Sequence, residues 1–470
     1  MRRTKIICTI GPATHELSTL VMLGKAGMDV ARLNFSHGTH ADHRAIFDRL
    51  VMAGKKLGQP FGVLQDLQGP KIRVGEVRKE GVTLVAGRRV IFTTSVHPED
   101  GDIPVTLPSL HRDVNPRERL LLDDGLLEVE VRRVEGRRIV CEVVTGGTLT
   151  SHKGMNLPGT SLRIPALSKK DREDAAFGAR IGVDFVALSF VRSPRDVDGL
   201  RAFLDCQGEK GKQIHIIAKI EKKEAVDRFD DILPRVDGVM IARGDLGIEL
   251  HADQVPIIQK QLITACRERG VPVIVATQML DSMIRNPRAT RAEISDVANA
   301  VADHADAVML SGETAIGAYP IEAVKILAQT VLTMEESHLD DLTALRLATS
   351  DRVHQAIGAS VRLLVDALDH ASVITVTASG QMTREIAAMR PETAIFGLTP
   401  DAHVARTLRL VWGVVPCVLS TRFASDSQMV SSILKKLRAA KFVKRGENVI
   451  IVSGAHATQR RLARIEILTA

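Results

Sequence analysis

The feature that most constrains the fold is a series of eight short apolar runs, rich in valine and isoleucine, that each end in polar residues. They span residues 5–11, 30–36, 61–67, 185–190, 214–221, 238–247, 272–278 and 307–314. Helical patterns follow most runs, at the spacing of one βα unit, but about 95 extra residues follow the third run. Apolar strands flanked by helices are typically parallel and covered on both faces. Eight such strands predict a (β/α)₈ TIM barrel.

Residues 72–165 follow a different pattern, in which polar and apolar residues alternate with a period of two and turns fall at glycines. This pattern predicts a small all-β domain, a β-barrel, inserted after the third barrel strand. Such an insertion overhangs the end of the barrel where these folds keep their active sites. We therefore expect it to act as a lid.

The chain after residue 335 begins with a helical pattern and continues with apolar runs at 373–380, 394–400, 414–420 and 448–454. Strands that alternate with helices predict a separate doubly wound α/β domain for effectors or assembly. The sequence thus predicts three domains. They are a catalytic barrel (1–71 and 166–335), an inserted lid (72–165) and a C-terminal α/β domain (336–470).

The composition excludes several classes of function. The net charge of +7 comes from 63 basic and 56 acidic residues spread along the chain, and aromatic residues make up only 3%. These values favour small anionic ligands over nucleic acid. Neither a signal peptide nor a membrane span is evident, and five scattered cysteines without metal-ligand spacing fit a reducing compartment. We expect a cytoplasmic protein that binds no membrane.

Candidate catalytic residues begin at the end of the fifth run, where Lys219 and Glu221 are two residues apart. On a strand they would point to the same side. An exposed helix with a salt bridge is the alternative, but the preceding apolar residues favour a buried strand. Burying these charges would be costly without a ligand.

Asp245 lies between Gly244 and Gly247 after the sixth run. Glycines let the backbone approach a ligand closely, and amides at a helix start can bind an anion. With Glu221, Asp245 would form a two-carboxylate Mg²⁺ site that leaves positions for substrate and water. An aspartate that only caps a helix is the alternative.

Further polar residues end the second and third runs. They are Arg32, Asn34, Ser36, Asp66, Lys71 and Arg73. The Arg32 guanidinium suits a phosphate, while the oxygens of Asn34 and Ser36 suit a small cation. Each residue taken alone would fit a capping role equally well.

Three other segments have two interpretations each. The Thr277 hydroxyl could donate a proton or hold a carboxylate, or Thr277 could be an ordinary strand residue. Ser311 and Glu313 could relay protons through water or cap a helix. The turn at Ser379 and Gly380 could hold a phosphate at a helix N-terminus or simply require glycine. Residues 290–293 predict a capping box without a catalytic role.

Eight motifs together resemble those of pyruvate kinases in order and spacing over nearly the whole chain. They read TIGPAT, RLNFSHG, DLQGPKIR, KGMNLPG, AKIE, ARGDLG, ATQML and SGETA. An interrupted barrel followed by an α/β domain is also the layout of that family. The resemblance implies Mg²⁺- or Mn²⁺-dependent phosphoryl transfer from phosphoenolpyruvate to ADP, which gives pyruvate and ATP in the last step of glycolysis. It also implies a homotetramer and a phosphorylated allosteric effector.

The resemblance implies roles for the matching residues. Lys219 would stabilise the transferred phosphoryl group, Glu221 and Asp245 would bind the divalent metal, and Arg32 would bind the phosphate of phosphoenolpyruvate. Its carboxylate would be held by Gly244, Asp245 and Thr277. Residues expected at the nucleotide are Thr9, Pro12, Asn34, His37, Arg73 and Lys170, and Asp124 in the lid is expected to approach the nucleotide's own metal. The enolate would be protonated by Thr277 or by a water held by Ser311 and Glu313.

Two departures from the family pattern stand out. Asn34, Ser36 and Asp66 match monovalent-cation ligands, but Leu67 stands where K⁺-dependent members often have Thr, and Lys71 where they often have Glu. The Lys71 ammonium can supply the charge that K⁺ would bring, so we predict activity without K⁺.

The second departure lies after Gly380, where Gln381 and Met382 replace the cation and hydroxyl usual in the family's phosphate loop. Activation by a sugar bisphosphate is therefore not expected. Thr383, Arg384, Arg460 or Arg461 could bind another phosphorylated effector.

Two other functions fit parts of the pattern. A barrel lyase or aldolase could use the same metal and enolate pocket, but would need neither Arg73 nor a hinged lid. A catalytically inactive ligand sensor would be expected to lack metal or phosphate groups, and all of them are present in this sequence.

Overall fold

The computed structural model describes residues 1–160, 163–340, 352–368, 371–419, 426–439, 442–453 and 464–470. The chain begins with strand, helix, strand, helix and strand. These are β1 (Lys5–Ile10), α1 (Leu17–Ala26), β2 (Val30–Asn34), α2 (His40–Leu57) and β3 (Gly62–Asp66). Helix α2 begins at a capping box, in which Thr39 and Asp42 each accept a backbone N–H of the other, and ends at the left-handed Gly58 (φ 69°).

The inserted segment contains eight strands. They are β4 (Val82–Leu84), β5 (Arg89–Thr93), β6 (Ile103–Pro104), β7 (Arg119–Leu122), β8 (Leu127–Glu135), β9 (Arg138–Thr145), β10 (Gly147–Leu149) and β11 (Met155–Asn156). Six form one sheet in the order β11-β7-β8-β9-β5-β6, and β4 pairs with β10. We predicted a β-barrel here, and residues 73 and 74 pair with both edges of the larger sheet: Arg73 with Gly154 next to β11, and Val74 with Val105 next to β6. Its edge strands, β6 and β11, have only two residues each. Strand β6 also pairs parallel to β5.

The rest of the barrel follows the insert. Its strands are β12 (Phe185–Leu188), β13 (His215–Ile220), β14 (Gly238–Ala242), β15 (Val273–Ala276) and β16 (Ala307–Leu310). Its helices are α3 (Lys169–Ile181), α4 (Pro194–Asp205), α5 (Glu209–Gln213), α6 (Lys223–Asp227), α7 (Phe229–Ile232), α8 (Arg243–Glu249), α9 (Val255–Glu268), α10 (Arg291–Ala302), α11 (Gly312–Ala315) and α12 (Pro320–Glu335). The predicted capping box at residues 290–293 opens α10.

The eight barrel strands close in the order β1-β16-β15-β14-β13-β12-β3-β2, and every pair is parallel. The predicted (β/α)₈ barrel is therefore confirmed. Apolar side chains fill its interior, among them Leu64, Phe185 and Met240. Two predicted runs extend past their strands, because the backbone turns into α8 at Arg243 and into α11 at Gly312.

The C-terminal part is an α/β domain. Its elements are α13 (Arg352–Ala367), β17 (Ser372–Val376), α14 (Gln381–Ala388), β18 (Ile395–Thr399), α15 (Ala402–Thr407), β19 (Val414–Val418), α16 (Asp426–Ala439), β20 (Asn448–Ser453) and β21 (Arg464–Thr469). The sheet order is β19-β18-β17-β20-β21, parallel except for β21. The sequence did not predict β21, whose alternating, partly exposed residues give a weak signal.

The C-terminal domain packs against the N-terminal ends of the barrel strands. The Lys5 ammonium donates to the carbonyl oxygen of Val414 (2.7 Å), and Leu410 joins the apolar cluster inside the barrel. This leaves the opposite, C-terminal strand ends facing the lid insertion. Across the described residues, no helix is long and apolar enough to cross a membrane.

Candidate active site

A buried lysine ammonium occupies the centre of the C-terminal strand ends. Lys219 Nζ lies 2.7 Å from Glu221 Oε1 and 3.3 Å from Asp66 Oδ1. Lys219 and Glu221 thus share one side at the end of β13, and helix α6 begins only at Lys223. The geometry therefore agrees with a buried strand rather than with an exposed helix. Burial lowers the pKa of Lys219, but the Asp66 and Glu221 charges outweigh it and raise that pKa above its usual value.

Asp66 at the end of β3 joins two cations. The Arg32 guanidinium donates from Nε to Asp66 Oδ2 (2.7 Å) and from Nη1 to the hydroxyl of Thr9 (2.9 Å). Burial would raise the pKa of Asp66, but the charges of Lys219 and Arg32 lower it below its usual range. Asp66 is therefore an ionised carboxylate that fixes both cations beside each other.

Glu221 is 1% exposed and is held from two directions. Its Oε2 accepts the backbone N–H of Phe190 (2.7 Å), while Oε1 faces Lys219. Burial raises the pKa of Glu221, Lys219 opposes this, and the negative charge of Asp245 adds to the rise. Two like charges at one site favour a bound cation.

Asp245 supplies the second carboxylate from the first turn of α8, and it is partly exposed. Within the described part of the chain, no group of three or more His, Cys, Asp or Glu residues has metal-binding geometry. A pair of carboxylates nevertheless suits Mg²⁺, because this ion usually keeps water and substrate oxygens among its ligands. The donor set at Glu221 and Asp245 therefore fits the predicted metal.

Thr277 follows β15 in a left-handed conformation (φ 71°), which is unusual for a β-branched residue. Its hydroxyl donates to the carbonyl oxygen of Ala276 (2.6 Å) and accepts the N–H of Gly244 (2.7 Å). A side chain at Gly244 would start 3.4 Å from this hydroxyl. Arg243 donates to the carbonyl oxygen of Thr277 (2.7 Å) and pairs with Asp296. The strained residue is thus fixed beside the start of α8.

Glu313 is 2% exposed, and both of its carboxylate oxygens accept backbone N–H groups. The donors are Leu280 (3.0 Å) and Ser311 (2.7 Å). Burial raises the pKa of Glu313. The Ser311 hydroxyl is buried and has no hydrogen-bond partner in the described structure. Glu313 therefore holds the amide at the start of α11, whereas the Ser311 side chain makes no capping hydrogen bond. The contacts of Glu313 fix the loops after β15 and β16.

Among the predicted monovalent-cation residues, the oxygens of Asn34, Asp66 and Leu67 already accept hydrogen bonds or face cations. Asn34 Oδ1 accepts the N–H of Ser36 (3.1 Å), and the Leu67 carbonyl accepts the Ser189 hydroxyl (2.7 Å). Both Asp66 oxygens face cations, as described above. Lys71 lines a cleft between the barrel and the lid, together with Arg192.

Most residues predicted at the nucleotide lie at or just after the ends of β1 and β2, and Lys170 is in the first turn of α3. Lys170 donates to the carbonyl oxygen of Phe35 (2.7 Å) and to Asp174 (2.6 Å). His37 and Pro12 are exposed, whereas the Thr9 hydroxyl is buried and donates to the carbonyl oxygen of Leu310 (2.9 Å). Thr9 therefore contacts Arg32 rather than solvent.

Two predicted nucleotide-side groups belong to the lid insertion. Arg73 pairs with Gly154 across a β-bridge, and its Nη1 donates to the carbonyl oxygen of His152 (3.0 Å). Asp124 is exposed at the tip of a turn with φ 54°.

The predicted effector loop, around Ser379 and Gly380, is held together by hydrogen bonds to neighbouring residues. Gly380 (φ 79°) donates its N–H to the Thr377 hydroxyl (2.9 Å), and Arg384 donates to the carbonyl oxygen of Ser379 (3.3 Å). The Thr383 hydroxyl is buried 2.6 Å from that of Thr375, so it points into the domain. Arg460 and Arg461 lie outside the described residues.

Three residues at the site were not identified from the sequence. Ser189 donates to the Leu67 carbonyl and accepts from Lys219 (2.8 Å), Phe190 (φ 55°) presents its amide to Glu221, and Arg243 supports Thr277. The sequence feature that could have identified them is their position directly after barrel strands β12 and β14. Each acts through a backbone or side-chain contact that only the assembled barrel creates.

Comparisons with known proteins show the family. The family model "Pyruvate kinase, barrel domain" matches residues 1–324, and "Pyruvate kinase, alpha/beta domain" matches residues 355–464. The chain is 42% identical to pyruvate kinase 2 of Synechocystis sp., covering 100% of this chain and 80% of the relative. It is 44% identical to a pyruvate kinase of Geobacillus stearothermophilus, covering 96% and 78% respectively.

A solved structure gives the same result. The crystal structure of a pyruvate kinase from Cryptosporidium parvum superposes with a TM-score of 0.91 at 35% identity, covering 100% of this chain and 96% of that chain. Fold, motifs and full-length relatives therefore agree, and the chain belongs to the pyruvate kinase family.

Proposed function

We propose that this chain transfers the phosphoryl group of phosphoenolpyruvate to ADP, giving pyruvate and ATP, at the C-terminal ends of its barrel strands. The observation that carries the proposal is the buried Lys219 ammonium, held 2.7 Å from Glu221 with Arg32 bound to the same Asp66. Two fixed cations beside a pair of carboxylates can receive a phosphate and a metal together. A lyase or aldolase could use the same pocket, but it would need neither Arg73 nor a hinged lid.

Glu221 and Asp245 would hold Mg²⁺ or Mn²⁺. The bound cation would supply positive charge against the phosphate and enolate oxygens of the substrate. Glu221 is already oriented by the Phe190 amide and by Lys219. Since the surrounding residues fix one carboxylate in place, little reorganisation is needed when the site is loaded.

Lys219 and Arg32 would contact the phosphoryl group in transit. Phosphoryl transfer depends on positioning and charge neutralisation more than on covalent help. Asp66 holds the two cations, and Ser189 fixes the Lys219 ammonium from another direction (2.8 Å). Gly244, Asp245 and Thr277 would hold the carboxylate of phosphoenolpyruvate, in the space that the absent side chain of Gly244 leaves open.

Loss of the phosphoryl group leaves an enolate, which must gain a proton at carbon to become pyruvate. Thr277 is our first candidate for the donor, because its hydroxyl lies at the site and its backbone is fixed by Arg243. A water held near Ser311 is the alternative. Glu313 would act indirectly, because both of its oxygens are occupied by backbone amides.

The nucleotide would bind beside Asn34, His37 and Lys170, with Thr9 and Pro12 at the edge of the same region. Arg73 and Asp124 would approach it from the lid. Closing the lid would exclude water and bring the Arg73 guanidinium to the phosphates.

Several wider properties belong to the same proposal. We infer a cytoplasmic homotetramer that responds to a phosphorylated effector, and turnover that does not depend on K⁺. The engaged oxygens of Asn34, Asp66 and Leu67, and the absence of a hydroxyl at position 67, support the last point. The domain boundaries remain those predicted from the sequence.

Pyruvate formation from phosphoenolpyruvate, ADP and Mg²⁺ tests the reaction directly. Binding of Mn²⁺, followed by electron paramagnetic resonance, tests the metal site separately. We expect Glu221→Gln and Asp245→Asn each to weaken Mn²⁺ binding by roughly tenfold or more, since each removes one of two carboxylate ligands.

The control is Asp253→Asn, which changes an exposed aspartate close to Asp245 in the sequence. It should leave both Mn²⁺ affinity and turnover unchanged. If no pyruvate forms, the reaction is rejected; if the two carboxylate variants bind Mn²⁺ as the wild type does, the metal assignment is rejected.

A further inference from the structure

A cavity of about 590 Å³ lies between the barrel and the C-terminal domain. Its barrel side consists of helix α2, the end of α3 and the residues before and within β3. Its other side consists of α15 and Val418. It is therefore at the N-terminal ends of the barrel strands, whereas the candidate active site is at the C-terminal ends. Its volume falls within the range of about 300–1,000 Å³ that is usual for small-molecule sites.

The charged side chains that line this cavity are all basic. They are Lys55, Lys210, His403 and Arg406, and no aspartate or glutamate lines it among the described residues. Lys55 and Lys210 are exposed, and the Lys210 ammonium donates a long hydrogen bond to the carbonyl oxygen of Arg180 (3.3 Å), which a ligand could replace. The lining thus complements a negatively charged group.

Behind the lining, one buried carboxylate fixes the other two basic groups. Asp184 is 0% exposed, and its Oδ1 lies 2.8 Å from Arg406 Nε and 3.1 Å from His403 Nδ1. Burial lowers the pKa of His403, but the hydrogen bond and charge of Asp184 outweigh it and raise that pKa. Because one carboxylate faces two basic groups, it does not cancel the positive charge of the cavity.

The remaining walls are largely apolar. Phe47, Leu50, Phe61 and Ile181 line the barrel side. Phe61 is 3% exposed and Leu50 is 2% exposed, so both are fixed in the core beneath the cavity. A flat or branched apolar group could pack against them while a charged end reaches the lysines.

We propose that this interdomain cavity binds a small organic anion with an apolar body and a phosphate or carboxylate head group. The head group contacts Lys55 and Lys210, and the body packs against the wall formed by Phe47 and Phe61. Because the ligand binds only the folded chain, its binding raises the melting temperature. The site goes beyond the proposed catalytic function, and it differs in place from the loop at Ser379 and Gly380.

Isothermal titration of the full chain with phenyl phosphate tests the proposal. Saturating phosphoenolpyruvate without ADP keeps the phosphate-binding groups of the candidate active site occupied. We expect one phenyl phosphate per chain, bound much more tightly than inorganic phosphate or benzyl alcohol. Inorganic phosphate carries only the charge, and benzyl alcohol carries only the apolar ring.

The chain supplies matched controls for the two lysines. Lys55→Gln combined with Lys210→Gln should weaken phenyl phosphate binding by roughly tenfold, since each lysine offers a charged hydrogen bond. Lys56→Gln combined with Lys212→Gln changes two exposed lysines that do not line the cavity, and should have no effect. All four positions are exposed, so the variants should fold.

Three results would overturn the proposal: no binding of phenyl phosphate, equal loss in both pairs of variants, or equally tight binding of either partial probe. Because the readout is binding and not turnover, it stays interpretable even if the proposed reaction is rejected.

Discussion

The ammonium nitrogen of Lys219 lies 2.7 Å from a carboxylate oxygen of Glu221, and both side chains are buried at the end of the same strand. Burying an ion pair costs desolvation energy that the pair rarely recovers in full. Apolar residues would therefore serve stability as well or better. The pair is better explained by the phosphate and metal that it would receive.

Lys219→Met should lower kcat by about 10²–10³-fold, the loss typical when one electrostatic contact to the transition state is removed. The same enzyme should still bind Mn²⁺, because Glu221 and Asp245 remain. Steady-state kinetics and Mn²⁺ titration measure the two quantities. Lys223→Met, at an exposed position on α6, is the control. Turnover at the control's rate in Lys219→Met would refute the assigned role.

Ser189→Ala should lower kcat by roughly tenfold, since the ammonium of Lys219 loses the hydroxyl that orients it. Mn²⁺ affinity should stay unchanged, because Ser189 does not contact Glu221 or Asp245 in the described structure. Ser360→Ala, an exposed serine on α13, serves as control. A loss of melting temperature without any loss of kcat would show that Ser189 is only structural.

Thr277→Ala should slow protonation of the enolate, while Thr277→Ser should restore most of it. Exchange of the pyruvate methyl protons with deuterated water, followed by NMR, reports this step without the nucleotide half-reaction. Serine keeps the hydroxyl that contacts Gly244 and alanine does not. Exchange at the wild-type rate in Thr277→Ala would direct attention to a water near Ser311.

Turnover should proceed in K⁺-free buffer, and added K⁺ should change kcat by less than about twofold, if the Lys71 ammonium supplies the positive charge that K⁺ would bring. Lys71→Gln should make the enzyme respond to K⁺. Pyruvate formation with K⁺ or with tetramethylammonium measures both. An absolute K⁺ requirement in the wild type would refute the substitution of K⁺ by Lys71.

The pairing of His403 with Asp184 makes part of the stability depend on pH. The pKa of His403 is raised in the folded chain from its usual 6.5, mainly because the hydrogen bond and charge of Asp184 outweigh burial. The stability that the charged His403 contributes is therefore fully present below pH 6.5, and it is lost as the pH rises through the pKa of His403 in the folded chain. His403→Gln should lower the melting temperature more at pH 6 than at pH 9.

Thermal unfolding of both enzymes at the two pH values checks this prediction. His97→Gln, in an exposed turn of the lid, is the control and should show no such difference. An equal loss at pH 6 and pH 9 would mean that His403 stabilises the chain without its charge.

The sequence alone determined the properties that follow from local backbone geometry. The period of two along a strand placed Lys219 and Glu221 on one side, and the apolar runs identified all eight barrel strands. The capping box at Thr290 was also readable, because its donors and acceptors lie within four residues.

The tertiary structure alone decided which distant groups meet. The contacts of Asp66 with Lys219, of Ser189 with Leu67 and of Arg243 with Thr277 depend on the register of neighbouring strands and on closure of the barrel. No local sequence pattern predicts these distances, because they are set by packing across the whole barrel. The same holds for the cavity near Lys55 and His403, which exists only where the C-terminal part of the chain packs against the barrel.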